Sequence, residues 1–231
     1  MRYFSGLLRH GLHADGKDEK RYNNGGALCG KKEKADNKRV AINDVLCYND
    51  CTIKSNLAGA IMANLIVYYS RKGENYWNGS IKNLKKGNTE IVAEFIQKAV
   101  GGDLFEIDTV KPYAANYYEC IEEAKKELRA NVRPEIKGYV EDISKYNIIF
   151  VGYPNWWGEM PMCMCSFLEH YDLTGKKIVP FCTNEGSGMG ASERQLKTVC
   201  KGANVVSGLS IHGAEAAQSE SKVSAWAKKN V

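Results

Sequence analysis

The sequence predicts an α/β fold in three layers, a doubly wound parallel sheet of five strands with helices on both faces. From residue 64 onward, short apolar runs alternate with amphipathic helical patterns. Each run is apolar at consecutive positions, so both faces of each strand are buried, as in a parallel sheet covered by helices. Loops rich in Pro, Gly and small polar residues follow the strands and precede the helices, at the edge where such sheets hold ligands.

Residues 65–69, Leu-Ile-Val-Tyr-Tyr, form the first strand. Residues 89–100 follow as a helix whose period places Val92, Ile96 and Val100 on one face beside Ile91 and Phe95. A short second strand at 104–107 leads to a helix at 116–129 that turns Tyr117, Ile121, Ala124 and Leu128 inward. The third strand, 148–153, enters a Pro/Trp/Gly loop and a helix at 161–170. The fourth, 178–182, ends in a Gly-rich loop feeding a helix at 191–200. The fifth strand spans 205–211, and a helix at 214–229 closes the chain. Right-handed crossovers leave few ways to arrange these units.

Residues 1–61 read differently. They mix Gly, Asn, Lys and Asp with few apolar positions and show neither helical nor strand periodicity. The expected organisation is a poorly structured N-terminal extension, 1–61, ahead of one domain, 62–231. Met62 stands just before the first strand and is a candidate native start; finding residues 1–61 in the native protein by mass spectrometry rejects that reading. Cys47 and Cys51 are spaced like half of a metal site, but no second Cys/His pair follows at zinc-finger spacing, which favours incidental thiols. No metal is expected.

Most of the excess positive charge lies in that leading segment: 11 Lys/Arg stand against 7 Asp/Glu in 1–61, and 21 against 20 in 62–231. A nearly neutral domain without a basic stripe or nucleic-acid motif argues against nucleic acid as a partner. No run approaches the roughly 20 apolar residues of a membrane span, and the apolar run at 4–8 is broken by Arg9 and His10 before it reaches signal length. The expected location is cytoplasmic, with no membrane partner. Cys120, Cys163, Cys165, Cys182 and Cys200 lie within apolar-periodic segments, which favours reduced thiols over a disulfide scaffold.

Three loops carry the chemistry. Ser70 ends the first strand, and Gly87-Asn88-Thr89 opens the first helix. A helix N-terminus offers free N–H groups and the positive end of a dipole, so this junction suits a phosphate. Simple capping by Asn88 or Thr89 explains the same residues equally well. The second loop, 153–161, reads Tyr-Pro-Asn-Trp-Trp-Gly-Glu-Met-Pro. Successive side chains of an extended segment face opposite ways, so Trp156 and Trp157 cannot both enter one core, and one is expected to face a ligand or a partner protein. A flat heterocycle gains offset stacking on an indole, and Gly158 leaves the backbone free to approach it. The third loop, 183–190, joins small residues to the hydrogen-bonding groups of Thr183, Asn184 and Ser187. Gly186, Gly188 and Ala191 fit the G-x-G-x-x-A dinucleotide fingerprint, but after the fourth strand instead of the first, and no acidic residue ends a following strand. That match is set aside.

Together these loops resemble those of the flavodoxin family, over residues 62–231 and most specifically over 151–190. The resemblance implies a flavodoxin-like sheet of order 2-1-3-4-5, a flavin mononucleotide (FMN) cofactor and a role in electron transfer. It maps phosphate contacts onto Ser70, Lys72, Asn88 and Thr89. It maps contacts along the isoalloxazine ring onto Pro154, Asn155, Trp156, Trp157 and Gly158, with the carbonyl of Gly158 or Trp157 facing N5. Contacts at the ring's far side and pyrimidine edge fall on Thr183, Asn184, Gly186, Ser187 and Gly188. The fifth strand is expected to run on without an inserted loop. One departure is plain: the family's compact Ser/Thr-x-Thr-Gly-x-Thr loop is split here by residues 71–86, which makes the contacts at Ser70 and Lys72 less secure than those at Asn88 and Thr89. The insertion reads either as a flap over the site or reaching a partner, or as a solvated excursion, the second slightly favoured.

Two functions compete. One is a carrier shuttling electrons between redox partner proteins; the other is an NAD(P)H-dependent quinone-type flavin reductase serving a small acceptor. Familiar carriers are strongly acidic, which this domain is not. No His/Tyr/Asp constellation marks a substrate site, however, and His170 and His212 read as surface or loop residues. The carrier is preferred, with no catalytic side chain, because the flavin performs the redox chemistry. A phospho-receiver shares the strand order but needs carboxylates where Ser70-Arg71-Lys72 and Pro154-Asn155-Trp156 stand.

Overall fold

In the first strand Leu65 and Val67 enter one hydrophobic core and Ile66 and Tyr68 another; Ile149 and Val151 part from Phe150 in the same way, as Ile178 does from Val179 and Phe181. Period-two alternation with both sets apolar builds a core on each face of the sheet. The computed structural model describes residues 63–231, so the expectations for 1–61, for Met62 and for Cys47 and Cys51 lie outside the described residues. The order is β1 (Ala63–Tyr68), β2 (Gly73–Trp77), β3 (Ser80–Leu84), α1 (Asn88–Val100), β4 (Asp103–Glu106), α2 (Tyr117–Arg129) and β5 (Tyr146–Pro154). Then come α3 (Met162–Leu168), β6 (Lys177–Asn184), α4 (Ser192–Val199), β7 (Asn204–Val205), β8 (Leu209–His212) and α5 (Glu220–Lys228).

The main sheet runs β4-β1-β5-β6-β7, with β8 also beside β6, and every pairing is parallel. Counting β7 and β8 as one strand position, this is the expected order 2-1-3-4-5, which reverses between β1 and β5. Helices α1 and α5 cover one face through Val92, Ile96, Val223 and Ala227; α3 and α4 cover the other through Cys163, Met164, Phe167 and Leu196. All five cysteines among the described residues are buried and free. Burial raises their thiols, Cys120 and Cys165 to about 11. Among the described residues no helix is long and apolar enough to cross a membrane.

Four local expectations need correction. The fifth strand is not continuous: it breaks between Val205 and Leu209. The cause lies across the ladder. Val206 N–H donates to the Ile178 carbonyl, so alternate residues of β6 turn their backbone groups toward the fifth strand. Pro180, two residues on, has no N–H to offer there. The closing helix is also shorter than expected: Gly213–Gln218 is a 3-10 turn, and Ser219, whose hydroxyl donates to the Ala216 carbonyl at 2.7 Å, separates it from α5. Helix α2, capped by Asn116 through bonds from the Tyr118 and Glu119 amides, buries Cys120 and Ala124. Tyr117, Ile121 and Leu128 are only half-buried. Residues 73–84, finally, form an antiparallel hairpin, regular structure that the reading of 71–86 as a solvated excursion did not include.

Candidate functional site

The strand order reverses beside β1, and an open cleft of about 340 Å³ lies there, at the carboxyl ends of β5 and β6 and the start of α1. Nine of the expected residues line it: Asn88 and Thr89 at the start of α1; Pro154, Asn155, Trp156 and Trp157 at and beyond the end of β5; and Thr183, Asn184 and Ser187 at and beyond the end of β6.

Gly87, the N-cap residue of helix α1, gives it no side-chain cap. Ser70, two residues beyond the end of β1, supplies the capping bond instead, its hydroxyl accepting from the Glu90 amide at 3.0 Å. The Thr89 hydroxyl shares a 2.8 Å hydrogen bond with that of Thr183, tying α1 to β6. Among the described residues the Asn88 and Thr89 amides meet no protein acceptor, which leaves two donors of the helix end open. Ser70 and Lys72 line a neighbouring cavity with Glu106 and Tyr113, and the Lys72 ammonium stands 3.8 Å from Glu90.

The two tryptophans part as their alternation requires. Trp156 is half-buried and meets Tyr69 and Tyr113 edge-on, at 5.3 and 5.0 Å between ring centres. Burial raises both phenols well above the usual range and keeps them neutral. Trp157 is 47 % exposed. Its φ of 57° and the 85° of Gly158 give a tight turn closed by two backbone bonds between Trp156 and Glu159, a type I′ signature. A bulky residue in the left-handed region costs about 1–3 kcal/mol. Here the indole N–H donates to the Ile121 carbonyl at 2.7 Å, and the Lys125 ammonium lies 4.5 Å from the ring centre, which fixes the strained side chain in the cleft wall. Trp157→Asn creates the Asn-Gly pair this turn favours. It is expected to leave the melting temperature unlowered while weakening the binding of a flat ligand by about 3- to 10-fold.

Two asparagines organise the remaining loops. Asn155 accepts from the Gly158 amide and donates to the Gly188 carbonyl, both at 2.8 Å. Asn184 accepts from the Gly186 and Gly188 amides at 2.9 Å each and donates to Ser210. Gly158, Gly186 and Gly188 thus shape the loops from behind the cleft lining. The Gly158 carbonyl is taken by the Ala191 amide at 2.6 Å, leaving that of Trp157 as the candidate of the pair.

The cleft also contains residues that the sequence reading missed: Arg71, Asn75 and Tyr76 from the insertion, Tyr117 and Ile121 from α2, and Glu185 and Gly213. Arg71 donates to the Glu74 and Ala115 carbonyls, Glu74 accepts from the Tyr117 amide, and Tyr76 stacks on Tyr117 at 6.2 Å. The signal for this hairpin was Asn78-Gly79, whose φ values of 45° and 89° fit the two-residue turn that Asn-Gly favours. The apolar positions on α2 pointed to a core stripe, when Tyr117 and Ile121 serve the cleft.

A family model described as flavodoxin matches residues 83–230. The chain belongs to the flavodoxin family. The match begins inside β3, beyond the point where the hairpin splits the first loop. A solved structure of a candidate flavoprotein from Bacteroides eggerthii is 30 % identical with a TM-score of 0.59, covering 73 % of this chain and 97 % of its own. One from Bacteroides uniformis is 26 % identical at a TM-score of 0.58, covering 72 % and 97 %. A Lactobacillus acidophilus flavoprotein solved in complex with FMN is 23 % identical at 0.50, covering 68 % and 97 %, a likeness of fold. No curated protein matches the chain.

Proposed function

We propose that this flavodoxin-family chain binds FMN in the cleft and works as an electron-transfer protein, shuttling electrons between redox partners. The observation that carries the reading is the pairing, in one cleft, of two open amides at the α1 N-terminus with the side chains of Trp156 and Trp157. FMN joins a flat, largely apolar ring to a phosphate through a polyol, and this donor set fits it: helix amides for the anion, aromatic faces for the ring, polar side chains between. The FMN complex of the Lactobacillus acidophilus flavoprotein supports the same choice. When bound, the flavin supplies the redox chemistry.

The chain's own residues then hold and orient. The Asn88 and Thr89 amides would take the phosphate, Trp157, its orientation set by the Ile121 carbonyl, would wall the ring, and Trp156 would back the site from the core. Asn155 and Asn184 bind the flanking loops in place. The functional test uses the FMN-loaded protein reduced by dithionite. Electrons are expected to pass to a one-electron acceptor protein such as cytochrome c, with no steady-state NADPH oxidation on adding quinones. NADPH turnover with quinones, without any partner protein, contradicts the carrier role and assigns the reductase.

A further inference from the structure

We propose that Glu185 is a specificity-determining residue of the cleft, an acceptor that recognises a hydroxyl of the ligand's polyol chain; the proposal rests on the FMN reading above. Glu185 Oε1 is buried and has no hydrogen-bond partner. An unpartnered carboxylate oxygen in that state is costly, and native proteins rarely keep one unless a ligand or water completes it. Its sister oxygen is held. Oε2 accepts from the Asn78 amide at the hairpin tip at 3.1 Å and lies 3.6 Å from His212 Nε2 at the end of β8. The carboxylate is therefore oriented by two elements besides its own loop.

The open oxygen lies against Gly213, at the edge of the cleft. Both Glu185 Oε1 and Asn88 Nδ2 stand within 2.6 Å of the point where a side chain on Gly213 would begin, and all three residues line the cleft. A carboxylate accepts and repels anions, so the group it takes is a neutral O–H or N–H and not the phosphate. FMN offers the hydroxyls of its ribityl chain and the imide N–H of its ring. Beside Asn88, at the helix end that takes the phosphate, the adjoining donors are the ribityl hydroxyls. The insertion unique to the first loop thus contributes to ligand choice through its tip amide, without itself supplying the recognising group.

The test compares riboflavin, which has the ribityl chain without the charge of a phosphate, with lumiflavin, which has a methyl group in its place. Each is titrated by fluorescence into the full-length apoprotein. Glu185→Ala is expected to weaken riboflavin by about tenfold or more and to leave lumiflavin unchanged. Glu185→Gln, which keeps the size and the Asn78 contact, is expected to show a smaller loss in the same ligand order, and it serves if the alanine variant does not fold. Equal losses for both ligands mean that Glu185 only holds the hairpin, and they overturn the proposal, as does unchanged riboflavin affinity. Failure of the unaltered protein to bind either flavin or FMN defeats the underlying reading instead.

Discussion

Asn88→Pro is expected to weaken FMN by about 10- to 100-fold and riboflavin far less, because the charge-assisted hydrogen bond that it deletes reaches only the phosphate. Asn88 is the first residue of α1, the position where proline is best tolerated because its N–H has no intrahelical partner. Gly87 precedes it at φ −74° and ψ 149°, a conformation that a residue before proline adopts readily. The helix should therefore persist, as circular dichroism can check. Asn88→Ala removes the carboxamide but keeps the amide, and the difference between the two variants isolates the backbone donor. Equal losses for FMN and riboflavin would place the phosphate elsewhere.

Gly190→Ala has the largest expected effect on stability. Gly190 sits at φ 56°, and a β-carbon there would lie 2.3 Å from the Gly158 carbonyl oxygen. Backbone cannot yield as a flexible side chain does. The substitution strains a left-handed position and forces apart the two loops that the Ala191 amide joins through that carbonyl. A loss of about 2–4 kcal/mol is expected, read as a fall in melting temperature of about 2–4 °C per kcal/mol. Flavin affinity should fall as well, since Trp157 belongs to the displaced turn. A variant with the original melting temperature and affinity would show that the loops do not depend on this approach.

Much of this was legible in the sequence because it depends on local pattern. Strands apolar at consecutive positions, such as 65–69 and 148–153, can be satisfied only by a sheet buried on both faces, and the loops after them then share one edge. The division of labour between Trp156 and Trp157 also follows from alternation, although which one would be exposed does not. That choice depends on the left-handed φ of Trp157 and the Ile121 carbonyl that holds its indole, a contact with a residue 36 positions away. Ser70 suits a phosphate and a helix end alike, because hydroxyls serve both; only the fold shows that its oxygen accepts from the Glu90 amide. Two features had local signals that other patterns masked. Asn78-Gly79 marks a hairpin within a run that otherwise reads as polar insertion, and Pro180 marks a break in the strand beside its own. Glu185 had no local signal, since its unpartnered oxygen arises where the hairpin, β8 and the Gly-rich loop converge.

The central claim is tested most directly by the visible spectrum of the purified full-length protein, followed by release and identification of its chromophore and, for colourless material, reconstitution with FMN. A flavin spectrum whose chromophore is FMN, at one per chain as isolated or after reconstitution, is the predicted result. A colourless protein that takes up no FMN would contradict the account.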